Sequence, residues 1–154
     1  MSEENRTIED QIRSGLSGDV QKNALGFAAF LRANDFSLEW NEQHELWSIF
    51  CKDKNIVGSK VIGDENVFAI VFNTCDFGDG PADDDVKEFT WAHMVNCPNG
   101  CCGPKICEMS VKHRTVFGKE YSNTCVAPME CFNLGADELL KAQTLMLMLK
   151  AKQR

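Results

Sequence analysis

Residues 36–73 read FSLEWNEQHELWSIFCKDKNIVGSKVIGDENVFAIVFN. Phe36, Leu38 and Trp40 alternate with Ser37 and Glu39, the period-two rhythm of a strand with one covered face. Three polar breaks follow: Asn41 to Glu45, Lys52 to Asn55, and Gly63 to Asn66. They separate Leu46–Cys51, Ile56–Ile62 and Val67–Asn73, which read as three further strands. Short polar turns between consecutive strands predict an antiparallel meander. The stretch Val67-Phe68-Ala69-Ile70-Val71-Phe72 is apolar throughout, which predicts a central strand covered on both faces.

On the N-terminal side, Thr7-Ile8-Glu9-Asp10 has the form of a capping box and predicts a short helix toward Leu16. After a break at Ser17-Gly18-Asp19, residues Val20, Ala24, Phe27, Ala28 and Leu31 form one apolar helical face, with Asn34 expected as its left-handed cap. On the C-terminal side, an acidic, glycine-rich loop from Asp76 to Asp85 leads to a helix capped by Asp83 or Asp84. Val86, Phe89, Thr90 and His93 share a face of it, and it runs into Cys97-Pro98. Val111 to Phe117 alternates again, Gly118-Lys119-Glu120 turns, and Tyr121 to Phe132 returns as strand and loop, with Pro128 at an edge or bulge. A final helix begins at Asp137 and Glu138 and turns Leu139, Ala142, Met146 and Leu149 to the core. The pattern predicts a single α+β domain over 1–154. It has two layers: helices on a mostly antiparallel sheet made of the four-stranded meander plus two later strands.

The chain has 154 residues, 44% hydrophobic and 25% charged, a globular composition. Its 16 Lys+Arg against 23 Asp+Glu give a net charge of −7, which argues against a nucleic-acid partner. No apolar run is long enough to span a membrane, and MSEENRTIED lacks the features of a secretory signal. The expected location is a reducing cytoplasm. There, eight cysteines read as metal ligands or working thiols before they read as disulfides.

Four of those cysteines, Cys97, Cys101, Cys102 and Cys107, fall within eleven residues, and Cys125 and Cys131 follow. Packing does not explain four cysteines among Gly100, Gly103, Pro98 and Pro104. Tetrahedral zinc wants four such ligands. A tight loop supplies three of them and the fourth comes from elsewhere, with Cys125 at the end of the strand region that follows. The spacing C-x3-C-C-x4-C-x17-C is not the paired C-x2-C of a zinc ribbon. A C-x-x-C redox motif is also absent, which lowers the thiol-redox reading. Cys51, Cys75 and Cys131 read as small buried hydrophobes.

The stretches GDVQKNALGFAAFLRAND, WAHMVNC and FGKEYSNTC resemble a group of small cysteine-rich bacterial proteins of unknown function, over most of the chain. The resemblance implies a shared four-cysteine arrangement: Cys97, one of Cys101 or Cys102, Cys107 and Cys125. It implies no activity.

His93 stands four residues before Cys97. A continuing helix would turn both the same way, but a buried, hydrogen-bonded packing role is the favoured reading. His113 falls on a strand, and His44 lies in a turn beside Glu42 and Glu45. The aspartates of DFGDGPADDDVKE do not follow the register of a calcium loop. No nucleophile elbow, phosphate loop or dinucleotide motif appears. Trp40, Trp47 and Trp91, with Phe50, Phe68 and Phe72, are either ordinary core or the lining of a pocket over the sheet. Leu140, Leu145, Leu147 and Met148 exceed one narrow face of the last helix, so either it lies in a cleft of its own domain or its second side meets another chain, with a homodimer preferred over a monomer. The expected protein is non-catalytic. It carries one structural zinc in a loop around 97–125 and binds a small apolar or aromatic ligand or a protein. The alternatives are a thiol-based redox or metal-handling protein using the Cys97–Cys107 loop and, third, a cysteine hydrolase.

Overall fold

The computed structural model describes residues 7–43, 45–73, 82–96 and 111–152. The chain runs α1 (Ile8–Gly15), α2 (Gly18–Ala33), β1 (Ser37–Asn41), β2 (Leu46–Cys51), β3 (Lys54–Ile62), a 3-10 turn (Gly63–Glu65) and β4 (Val67–Phe72). It continues through α3 (Asp84–Ala92), β5 (Met94–Asn96), β6 (Val111–Val116), β7 (Lys119–Phe132) and α4 (Ala136–Lys152). The strands form one sheet in the order β1-β2-β3-β4-β7-β5, with β6 also paired to β7. Every ladder is antiparallel. The predicted α+β class and the four-stranded meander are both present. Three later strands follow the meander rather than two.

The first helix starts as its capping box dictates. The Asp10 amide donates to Thr7 Oγ1 at 3.1 Å, and the Thr7 amide donates to Asp10 Oδ2 at 3.3 Å. The end of α2 departs from expectation. Asn34 has φ −110°, and its side-chain amide donates back to the Phe30 carbonyl at 2.9 Å. The left-handed residue is Asp35, with φ 62°, and the Phe36 amide then closes on the Leu31 carbonyl at 3.1 Å. The β6–β7 turn is also one residue earlier than expected. Phe117 and Gly118 carry φ values of 49° and 84°, the pair of left-handed residues that a tight type I′ hairpin needs. Lys119 and Glu120 therefore belong to β7.

Register assigns the two faces of the sheet. Ile49 stands opposite Val57, Val57 opposite Phe72, and Phe72 opposite Met129. This row is fully buried. Helices α1 and α2 pack on this face: Trp47 Nε1 donates to Gln11 Oε1 at 3.2 Å, and the rings of Phe27 and Phe68 meet edge to face at 5.9 Å. Helix α4 then packs on α2, and α3 on α4. Close approach at one end depends on two glycines. A Cβ on Gly63 would lie 3.3 Å from the Gly15 carbonyl oxygen, and one on Gly15 would lie 3.1 Å from Val61 Cγ1. At the other end Asn133 ties the start of α4 to the sheet, its Oδ1 accepting from the Phe68 amide at 2.7 Å.

β4 is central, between β3 and β7, and on the face away from Phe68, Ile70 and Phe72 its Ala69 is buried. Val67 and Val71 are only half-buried. They alternate with Phe68, Ile70 and Phe72, which carry the helix contacts of that strand.

Helix α3 ends at Ala92, with His93 as its cap, and does not run on to Cys97. The His93 carbonyl accepts from the Glu130 amide at 3.2 Å, so pairing with β7 takes over from the helical ladder and begins β5. Helix α4 buries Leu139, Ala142, Met146 and Leu149 as expected. It also buries Leu145, which the sequence pattern counted as surplus.

Candidate functional site

Two register contacts meet at Thr124. Asn96, the last residue of β5, stands opposite Thr124 on one side, and Val111, the first residue of β6, stands opposite it on the other. Adjacent strands lie about 4.8 Å apart. The last residue of β5 and the first residue of β6 therefore lie within roughly 10 Å of each other, flanking a single β7 residue. Cys97 follows Asn96 directly, and Cys125 follows Thr124 directly. From Thr124 to Met129, β7 takes five residue steps, whereas β5 takes two from Asn96 to Met94. The surplus is a bulge that includes Cys125 and Pro128. Proline is tolerated in a bulge because its missing N–H costs no ladder bond there. Cys97, Cys101, Cys102 and Cys107 lie outside the described residues, as do Cys75 and His44.

Among the described residues no group of three or more His, Cys, Asp or Glu side chains stands together to hold an ion. Cys51 and Cys131 are buried free thiols. Burial, reinforced by the nearby Glu138 and Glu130 charges, pushes the Cys131 thiol up to about 12. It stays protonated at neutral pH. His93 Nδ1 lies 2.8 Å from the Phe89 carbonyl oxygen, which can only accept, so Nδ1 carries the hydrogen. Nε2 faces Glu138 Oε2 at 4.0 Å, and the ring packs on Phe89 with centroids 4.5 Å apart. Because α3 stops at Ala92, the helical spacing that would have aligned His93 with Cys97 does not exist.

The open face of the sheet carries a shallow groove of about 720 Å³, lined by Glu39, Trp40, Asn41, Glu42, Ser48, Phe50 and Asn55. Glu39 stands opposite Ser48, and Ser48 opposite Gly58. Of the lining residues Ser48 is buried and Phe50 half-buried. The lining holds two carboxylates and no lysine or arginine. Of the six aromatic residues that the sequence offered for a pocket, only Trp40 and Phe50 line this groove. Trp47, Phe68 and Phe72 are buried. Trp91 packs elsewhere, its Nε1 donating to the Val116 carbonyl at 2.8 Å. Sequence reasoning missed Glu39, Asn41, Ser48 and Asn55. The signal was present in β1, where Glu39 and Asn41 alternate with Leu38 and Trp40 and so share the face opposite the core.

A second cleft of about 300 Å³ lies between α1 and the meander, lined by residues including Gln11, Ser14, Trp40, Glu45 and Lys60. Trp40 borders both clefts. Its ring packs against Trp47 with centroids 5.5 Å apart.

Compared with known proteins, the chain matches no family model, no curated protein and no solved structure.

Proposed function

We propose that this chain is a non-catalytic cytoplasmic binding module whose cysteine loop is locked by one structural zinc. Cys97, one of Cys101 or Cys102, Cys107 and Cys125 would hold the ion. The observation that carries the reading is the double pairing of Thr124, with Asn96 on one side and Val111 on the other. It brings both stems of a segment containing four cysteines to the strand position next to a fifth. A closed thiolate site there would tie β5, β6 and β7 together at a point where β7 is bulged and its ladder is interrupted.

The open face of the sheet is the proposed ligand surface, for a small apolar or aromatic molecule set against Phe50. A second copy of the chain is the proposed protein partner. Nucleic acid is not expected to bind, given the net charge of −7 and the carboxylates at the groove. No helix among the described residues is long and apolar enough to cross a membrane.

Zinc content of single variants tests the ligand set. Cys97→Ser and Cys125→Ser should lose the metal, while Cys51→Ser should retain it. Zinc retained by both of the first two variants would rule out this set. Reversible, metal-free oxidation of the Cys97–Cys107 segment in the purified protein would instead favour the thiol-redox alternative.

A further inference from the structure

Strand β1 alternates, and its register carries the polar half onto the open face of the sheet. Glu39 stands opposite Ser48, and Ser37 opposite Phe50. Ser48 and Phe50 are two residues apart on β2, so both side chains stand on that face. Directly opposite residues bring their Cβ atoms to about 5 Å, and diagonal neighbours lie about 7–8 Å apart. Glu39 is therefore directly across from Ser48 and diagonal to Phe50. All three line the groove.

These groups are complementary to an amine. Ser48 is only 6% exposed. Its hydroxyl has no hydrogen-bond partner among the described residues, yet it is not sealed from solvent. A hydroxyl so placed can accept from a ligand that enters the groove. Glu39 and Glu42 are exposed and form no ion pair with a described residue. The lysines nearby do not neutralise them: Lys52 and Lys54 fall outside the lining, and Lys60 borders the other cleft. A carboxylate attracts a cation and repels an anion, and the face of an aromatic ring such as Phe50 does the same.

We infer that the groove takes an arylalkylamine, with its ring packed against Phe50 and its ammonium held between the Glu39 carboxylate and the Ser48 hydroxyl. The inference rests on the proposed reading of this face as a ligand surface. It narrows the occupant from aromatic molecules in general to cationic ones, and it does not depend on the zinc. A short alkyl arm spans the diagonal step from Phe50 to Glu39. The ammonium brings three N–H donors and meets two acceptors there, one of them charged. Glu42 adds negative potential at the same mouth without touching the amine.

Calorimetry on the full chain at neutral pH and low salt tests it, with three probes that share one ring: indole, tryptamine and indole-3-propionate. Tryptamine should bind about tenfold tighter than indole, the worth of one charge-assisted hydrogen bond, and indole-3-propionate more weakly than indole. Added salt should narrow the preference for tryptamine. Glu39→Gln should remove most of that preference and leave indole binding unchanged. Glu42→Gln should keep most of it. Ser48→Ala should weaken tryptamine about threefold through the lost acceptor, and it serves as the second variant if Glu39→Gln is poorly folded by circular dichroism. Indole bound as tightly as tryptamine, or a preference equal in wild type, Glu39→Gln and Ser48→Ala, would overturn the inference while leaving the groove a surface for neutral aromatics. A preference lost in Glu42→Gln and kept in Glu39→Gln would overturn the placement of the ammonium. Binding of none of the three probes would remove the ligand surface itself, and the inference with it.

Discussion

A thiol walled in by hydrocarbon keeps its proton, and Cys131 shows what that means for reactivity. Burial is the main cause of its rise from 9.0 to about 12, with Glu138 and Glu130 adding to it. Iodoacetamide at pH 8 should therefore leave Cys131 unmodified in the folded protein and modify it once the chain is unfolded. Peptide mass spectrometry reads the difference. The same shift acts on stability. Above about pH 9 the unfolded chain releases this proton while the folded chain retains it, so the unfolded state gains. The contribution is constant below that pH and is lost as pH rises toward 12. Urea titrations should show a fall in stability over this window that is shallower in Cys131→Ala, and equal slopes in the two proteins would contradict the burial argument. That Cys131 is a packing residue was readable from its place in an apolar strand. The residue that caps α2 was not, because Asn34 and Asp35 both suit the left-handed position and the choice depends on the bond from Asn34 to Phe30.

At the scale of elements, legibility followed the range of the interactions that set each boundary. The start of α1 is local, and its capping box was visible in four residues. Thr7→Ala should cost about 1 kcal/mol, since it removes the acceptor for the Asp10 amide. Urea unfolding checks this, and no change would mean that water replaces the cap fully. The end of α3 is set by a partner far along the chain, the Glu130 amide on the His93 carbonyl. No local pattern announces such a bond, so β5 was missed and the helix was drawn too long. The groove lies between these cases. The alternation in β1 was read for its apolar half, while its polar half forms the rim. If that rim and Phe50 bind aromatic molecules, Phe50→Ala should weaken binding of a probe such as indole about tenfold, from the loss of one ring contact. Calorimetry showing equal affinity in both proteins would remove the groove from the account.

For the whole molecule, fold class and meander were legible because a helical period over Ile8 to Ala33 gives way to short apolar runs separated by polar turns up to Phe72. The proposed metal site was legible only as a cluster of residue types, since spacing does not say where the flanking strands end in space. The structure adds the backbone positions of Asn96 and Val111, on the two sides of Thr124. The central claim is that a zinc ion closes the cysteine segment at this junction. Its most direct test is the zinc content of wild-type protein purified without added metal, measured together with a thiol count after denaturation. The account predicts about one zinc per chain, released as the thiols are modified, with protection of β5 and of residues 111–124 lost before the meander melts. Metal-free, folded protein with all eight thiols titrating as free would contradict it.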